Sequence, residues 1–165
     1  MINAVGLLHD ETHGPEKSIR SIDPDFFIKN MNVNALPTLL AAQAFSKLLK
    51  SAERGIFATI SAKVGSIEDN GLGGWHSYRC SKAALNMALK NIAIEWQRSH
   101  KTLCVASLHP GTTDTSLSKP FQKNVPDGKL FSAEKTASYI IDTLEKLTPT
   151  ETGKFWSWDG TELPW

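Results

Sequence analysis

Ser77-Tyr78-Arg79-Cys80-Ser81-Lys82 sets a phenol and an ammonium four residues apart, just ahead of a run from Ala83 to Arg98 that reads as helix. Apolar or small residues recur there at Ala84, Leu85, Met87, Ala88, Ile92 and Trp96, with no Gly or Pro. Positions i and i+4 lie on one helix face, so Tyr78 and Lys82 are neighbours. A free tyrosine, with a pKa of about 10, is a poor acid–base group at neutral pH. A fixed positive charge beside it favours the phenolate and draws that value toward working range. A solvated lysine next to a half-buried tyrosine has the same spacing, so the flanking sequence must decide.

Ahead of the helix, Gly55-Ile56-Phe57-Ala58-Thr59-Ile60-Ser61 is a short β-rich apolar run, as expected of a buried parallel strand. Gly65, Gly71, Gly73 and Gly74 then punctuate a loop ending in Trp75 and His76. Their spacing is not that of a dinucleotide fingerprint, and a flexible active-site rim is the reading. Beyond the helix, Leu103 to His109 forms a second buried strand ending at Pro110-Gly111, followed by Thr112, Thr113, Asp114 and Thr115. A mobile-looking stretch through Pro120 and Pro126 leads to a helix from Ser132 to about Leu147, then a strand from Gly153 to Trp158 and a turn at Asp159-Gly160.

Upstream, Met1 to Gly6 reads as the end of a buried strand breaking at glycine, and Leu8 to Ser21 as a polar loop, solvated around His9 to His13. His9 and His13 lack the His-Glu-x-x-His order, and the following Gly14-Pro15 forbids the helix that would bring both rings to one metal; no metal is expected. Asp23 is a good N-cap with Pro24 behind it. Asp25 to Ser51 reads as one long amphipathic helix that Pro37 kinks or divides. Strand and helix thus alternate along the chain, which implies an α/β domain with a parallel sheet whose ligands bind at the carboxyl ends of the strands. Asn3, Ser61, Pro110 and Gly111 fall at such ends.

Composition fits one domain of 165 residues with a real core. A net charge of +1, no basic run and no apolar run long enough for a bilayer argue against nucleic acid and membrane partners. Cys80 and Cys104 form neither a zinc spacing nor a disulfide framework, which points to the reducing cytoplasm.

Together these segments resemble the C-terminal two-thirds of a short-chain dehydrogenase/reductase, nearest the C-factor-like or Sniffer-like carbonyl reductases. Asn3-Ala4-Val5-Gly6 resembles the Asn-Asn-Ala-Gly motif with its second Asn replaced. Val33-Asn34 matches the helix asparagine, Tyr78-x-x-x-Lys82 the catalytic pair, and Pro110-Gly111 with Thr115 the segment contacting nicotinamide and phosphates. Many members end the preceding strand in two serines and use the second, whose place here is Ala62. Ser61, 17 residues before Tyr78, and Ser66, 12 before it, are both candidates. The family's opening strand–glycine loop–helix has no counterpart in these residues, so the expectation is a single incomplete Rossmann-type domain over 1–165, a doubly wound parallel sheet with flanking helices and weakened cofactor binding.

The resemblance implies NAD or NADP as cofactor, NADP favoured, and a small carbonyl or alcohol substrate. Tyr78 would exchange a proton with the reacting oxygen, and Lys82 would lower its pKa and hold ribose hydroxyls. Ser61 or Ser66 would hydrogen-bond that oxygen, and Asn34 would hold a relay water. Asn3, Gly6, Pro110, Gly111, Thr113 and Thr115 would line the cofactor site with Tyr78 and Lys82. Trp75, His76 and the Leu117-to-Val125 stretch would wall the substrate. Two further readings stay open: a non-catalytic truncated form that binds a partner or signals, and a homo-oligomer built through the helices Asp25–Ser51 and Tyr78–Arg98.

Overall fold

Two strands at the centre carry the sheet. In the computed structural model, which describes residues 1–165, β2 (Gly55–Ile60) pairs in parallel with β3 (Leu103–His109), from Gly55 opposite Leu103 to Ile60 opposite Leu108. The two-residue β1 (Ile2–Asn3) pairs in parallel with β2 on one side. On the other, β3 pairs in parallel with β6 (Lys154–Ser157), which turns back at Gly160 into the antiparallel β7 (Glu162–Leu163). A separate pair, β4 (Thr112–Thr113) and β5 (Leu130–Phe131), closes the loop after Pro110-Gly111. The order β1-β2-β3-β6-β7 is the expected parallel arrangement with one antiparallel strand added. The short β4, β5 and β7 were too brief to leave a pattern in the sequence.

Both faces of the sheet are covered, as its strands' near-continuous apolar runs require. Phe57 and Val105 point to one face and pack with Leu85, Leu89, Ile92 and Trp96 of α3 (His76–Trp96) and with Ala42 and Leu49 of α2 (Leu36–Lys50). Their neighbours Ala58, Cys104, Ala106 and Leu108 point to the other and meet Ile140, Leu144 and Leu147 of α4 (Ala133–Lys146) and its end. The period-two alternation of each strand therefore feeds two cores. Removing the fully buried Phe57 ring would cost about 3–5 kcal/mol.

Pro37 divides the long helix rather than kinking it. α1 (Pro24–Asn34) begins with the Asp23 carboxylate accepting the Phe26 N–H at 2.8 Å, and it ends one residue before α2. The Thr38 N–H, which a continuous helix would give to Asn34, goes to the Ala35 carbonyl at 3.3 Å. Leu8 to Ser21 is also not simply solvated: Leu8 and Glu16 are buried. The stretch through Pro120 contains a 3₁₀ turn, Lys119–Asn124. No helix is long and apolar enough to cross a membrane.

Candidate active site

A cavity of about 650 Å³ opens at the carboxyl ends of β2 and β3, where an open α/β sheet binds ligands. Tyr78, Lys82, Ser61, Gly6, Pro110, Gly111, Thr113 and Thr115 all line it, as does Trp75. Leu117, Phe121 and Val125 supply the apolar wall expected of the Leu117-to-Val125 stretch, with Leu8 added from the upstream loop. Asn3, Asn34, Ser66 and His76 are not on its wall.

Tyr78 and Lys82 are delivered by α3, whose first turn is built in an unusual way. Gly73 and Gly74 are left-handed, and so is Trp75, with φ of 51°. A bulky residue adopts that backbone only when its surroundings hold it. Trp75 offers no side-chain cap to the helix it precedes. Instead Glu16, from the upstream loop, accepts the Ser77 N–H at 3.1 Å and the Ser77 hydroxyl, and its carbonyl accepts the Trp75 N–H. Nothing in the sequence around Glu16 announces this role; the pairing spans 61 residues.

Burial sets the chemistry of the pair. The Lys82 ammonium donates to the Ile60 carbonyl at 3.1 Å and lies 5.7 Å from the centre of the Tyr78 ring. Loss of solvent pushes Lys82 down to about 8 and pushes the Tyr78 phenol up to about 12. The sequence leads one to expect the ammonium to lower the phenol; in this arrangement desolvation outweighs it. Tyr78 therefore keeps its proton across the neutral range, and Lys82 titrates close to it.

Asn34 is wholly buried, and its side chain is fully engaged. Its Oδ1 accepts the Leu7 N–H at 2.6 Å, and its Nδ2 donates to the Leu7 carbonyl and to the Ser81 hydroxyl, each at 2.8 Å. The side chain ties β1's exit to α3. What the helix break leaves without its usual backbone partner is the Asn34 carbonyl. Asn3 likewise serves structure, donating to Thr38 at 2.9 Å.

The two serine candidates separate clearly. Ser61 reaches the cavity wall, yet its hydroxyl donates to Asn86 Oδ1 at 2.7 Å, an atom that also accepts from Ser107 at 2.9 Å. Ser66 sits off the wall and accepts the Asp69 N–H at 3.1 Å. Ala62 lines the cavity with a methyl group. His109, the last residue of β3, also faces the cavity. Its Nδ1 accepts the Lys63 N–H at 3.3 Å, which leaves the ring's other nitrogen to carry the proton. Burial, with the Lys63 charge second, pushes it down to about 4. Gly111 is left-handed, with φ of 74°, and a Cβ there would lie 2.7 Å from the Phe131 ring, so the turn beneath the cavity admits only glycine.

The donor set suits the nicotinamide–ribose end of a dinucleotide. An ammonium and a phenol stand beside the threonine hydroxyls after Pro110-Gly111, and the Gly6 backbone passes close enough that a Cβ would lie 3.7 Å from Lys82 Nζ. No strand–helix turn in these residues offers a glycine-rich pyrophosphate cradle.

Comparison with known proteins agrees with this geometry. Residues 1–126 match the family model for short chain dehydrogenase. The chain is 35% identical over 148 residues to 1-hydroxy-2-glutathionyl-2-methyl-3-butene dehydrogenase of Rhodococcus sp. (strain AD45), covering 89% of this chain and 62% of that protein. It is 28% identical to C-signal of Myxococcus xanthus over 148 residues, 90% of this chain and 84% of that one. Among solved structures, carbonyl reductase Sniffer of D. melanogaster superposes with a TM-score of 0.83 at 25% identity, over 99% of this chain and 65% of that one. An NADPH-bound carbonyl reductase from chicken fatty liver gives 0.83 at 26% identity, over 99% and 64%. The chain thus spans just under two-thirds of the length of the first of these curated relatives and of both solved structures. With its sheet order, its cavity at the strand ends and its Tyr78–Lys82 pair, it belongs to the short-chain dehydrogenase family.

Proposed function

We propose that these residues form the catalytic part of an NAD(P)-dependent oxidoreductase that interconverts a small carbonyl compound and its alcohol, with NADP favoured over NAD. The observation that carries the reading is the buried Tyr78–Lys82 pair on the wall of an apolar cavity at the carboxyl ends of β2 and β3. NADPH bound to a similar carbonyl reductase supports the choice of cofactor. A nicotinamide held beside this pair supplies or accepts the hydride.

The chain's own groups handle the proton and the oxygen. Tyr78, protonated at neutral pH, gives its proton to the carbonyl oxygen as that oxygen gains charge. Lys82 Nζ would hold ribose hydroxyls and, when charged, stabilise the phenolate left behind. Ser61 serves the oxygen by rotating away from Asn86, whose Oδ1 keeps its bond to Ser107. The Asn34 carbonyl, released from its usual Thr38 partner, rather than its side chain, anchors a water that refills the proton through Lys82. Trp75 and Phe121, 5.1 Å apart, press an apolar or aromatic substrate against Tyr78. NADPH oxidation with an aromatic ketone tests this: Tyr78→Phe should lose at least a hundredfold in kcat with NADPH affinity retained. An unchanged rate would refute it.

A second reading concerns assembly. Leu40 and Leu48 of α2 and Met87 and Ile94 of α3 are each more than half exposed, and they fall at helical spacing on unpartnered faces. We propose that a second copy of the chain covers them.

A further inference from the structure

We propose that Glu16 is a positioning residue, which caps α3 from a distant loop and so fixes where Trp75 and Tyr78 stand in the cavity; the claim that they face substrate rests on the function proposed above. Glu16 is only 6% exposed, and a carboxylate is seldom so buried without strong partners. No lysine or arginine pairs with it; its partners are the Ser77 N–H and hydroxyl. These belong to the first turn of α3, where N–H groups are free and the helix is partially positive, the right environment for a buried anion.

The same residue grips the turn from a second side. The Glu16 carbonyl accepts the Trp75 N–H, so its backbone holds the left-handed residue while its side chain holds Ser77, two residues on. Trp75 then packs on Phe121 and meets the Tyr78 ring edge-on, with centres 6.3 Å apart. Ser77 and Ser81 are both fully buried and one helical turn apart. Ser77 receives the loop at Glu16, while Ser81, through Asn34, receives it at Leu7. The loop is therefore pinned twice to the helix stretch that carries Tyr78 and Lys82, each the residue next after its serine.

The test uses the whole chain and needs no cofactor. Glu16→Ala, Glu16→Gln and Ser77→Ala are compared by the Trp75 indole N–H resonance (assigned with Trp75→Phe), by amide exchange along α3, and by acetophenone affinity read at that resonance. Glu16→Ala should move the resonance, speed exchange at Ser77 at least tenfold and weaken acetophenone at least fivefold, with exchange at Ile92 and Trp96 unchanged. Glu16→Gln keeps an acceptor for the Ser77 N–H and should restore most of the loss; Ser77→Ala should shift the resonance less, in the same direction. A folded Glu16→Ala with parent-like Trp75 and acetophenone values overturns the proposal, as does exchange rising evenly to Trp96. Should Glu16→Ala not fold, a parent-like Trp75 resonance in Ser77→Ala overturns it. A parent chain that ignores acetophenone sinks the substrate reading alone, since the resonance and exchange still judge Glu16.

Discussion

Ser61 and Asn86, both buried, are joined by a 2.7 Å hydrogen bond that commits the strand-end hydroxyl to the interior before any substrate arrives. Asn86 lies one helical turn past Lys82, so α3 presents Tyr78, Lys82 and Asn86 as one stripe beneath the end of β2. The serine must leave that stripe's last member to serve its first. Ser61→Ala should therefore lower kcat by about 10–100-fold while costing only about 1 kcal/mol of stability, because Ser107 still satisfies Asn86. Ala62→Ser, which sets a hydroxyl on the cavity wall with no bond to break, should restore the rate in the Ser61→Ala background. Ser66→Ala should leave kcat within a factor of three. Steady-state kinetics on the three variants checks all of this, and a large loss in Ser66→Ala would reassign the role.

Lys82 is buried at the expense of stability. Its folded pKa of about 8 lies below the ordinary lysine value of 10.5, so below pH 8 the folded chain carries a buried charge that the unfolded chain solvates. Lys82→Met removes this charge and should stabilise the fold by roughly 3 kcal/mol at pH 7 while abolishing activity. The advantage should shrink as pH rises from 7 to 9.5, where the folded lysine is neutral and the unfolded one still charged. Thermal melts at the two pH values decide the sign; a destabilised variant at pH 7 would contradict it.

His109 acts in the same direction in a lower pH window. Its folded pKa, about 4 against an ordinary 6.5, means the unfolded chain takes the proton first as pH falls. Stability from its neutral ring is fully present above pH 6.5 and lost as pH falls toward 4. His109→Asn keeps an acceptor for the Lys63 N–H and carries no titrating ring. The variant should lose less melting temperature than the parent between pH 7 and pH 4.5. Equal losses would show that His109 is solvated on the folded chain.

The exposed apolar residues of α2 and α3 set the last expectation. Leu40→Glu together with Leu48→Glu should convert an oligomer to a monomer in light scattering, with the far-ultraviolet spectrum unchanged. A parent chain already monomeric at micromolar concentration would end the proposal of a second copy.

What the sequence settled by itself is local in kind. The apolar runs of β2 and β3, the helical period through Trp96, the Asp23 cap and the four-residue step from Tyr78 to Lys82 each depend on neighbours along the chain. They were enough to place a parallel sheet and the Tyr78–Lys82 pair at its strand ends. Pro37's division of the helix was legible as one of two outcomes. The polar character of the loop from Leu8 to Ser21 was legible, but the burial of Leu8 and Glu16 was not, because their partners lie elsewhere in sequence. Only the tertiary structure decided that Glu16 caps α3, that Asn34 spends its side chain on Leu7 and Ser81, that Ser61 points its proton at Asn86, and that burial rather than the neighbouring ammonium governs Tyr78. Hydrogen-bond partnership and desolvation depend on which groups meet and how much water the meeting excludes, and neither is a property of residues taken in order.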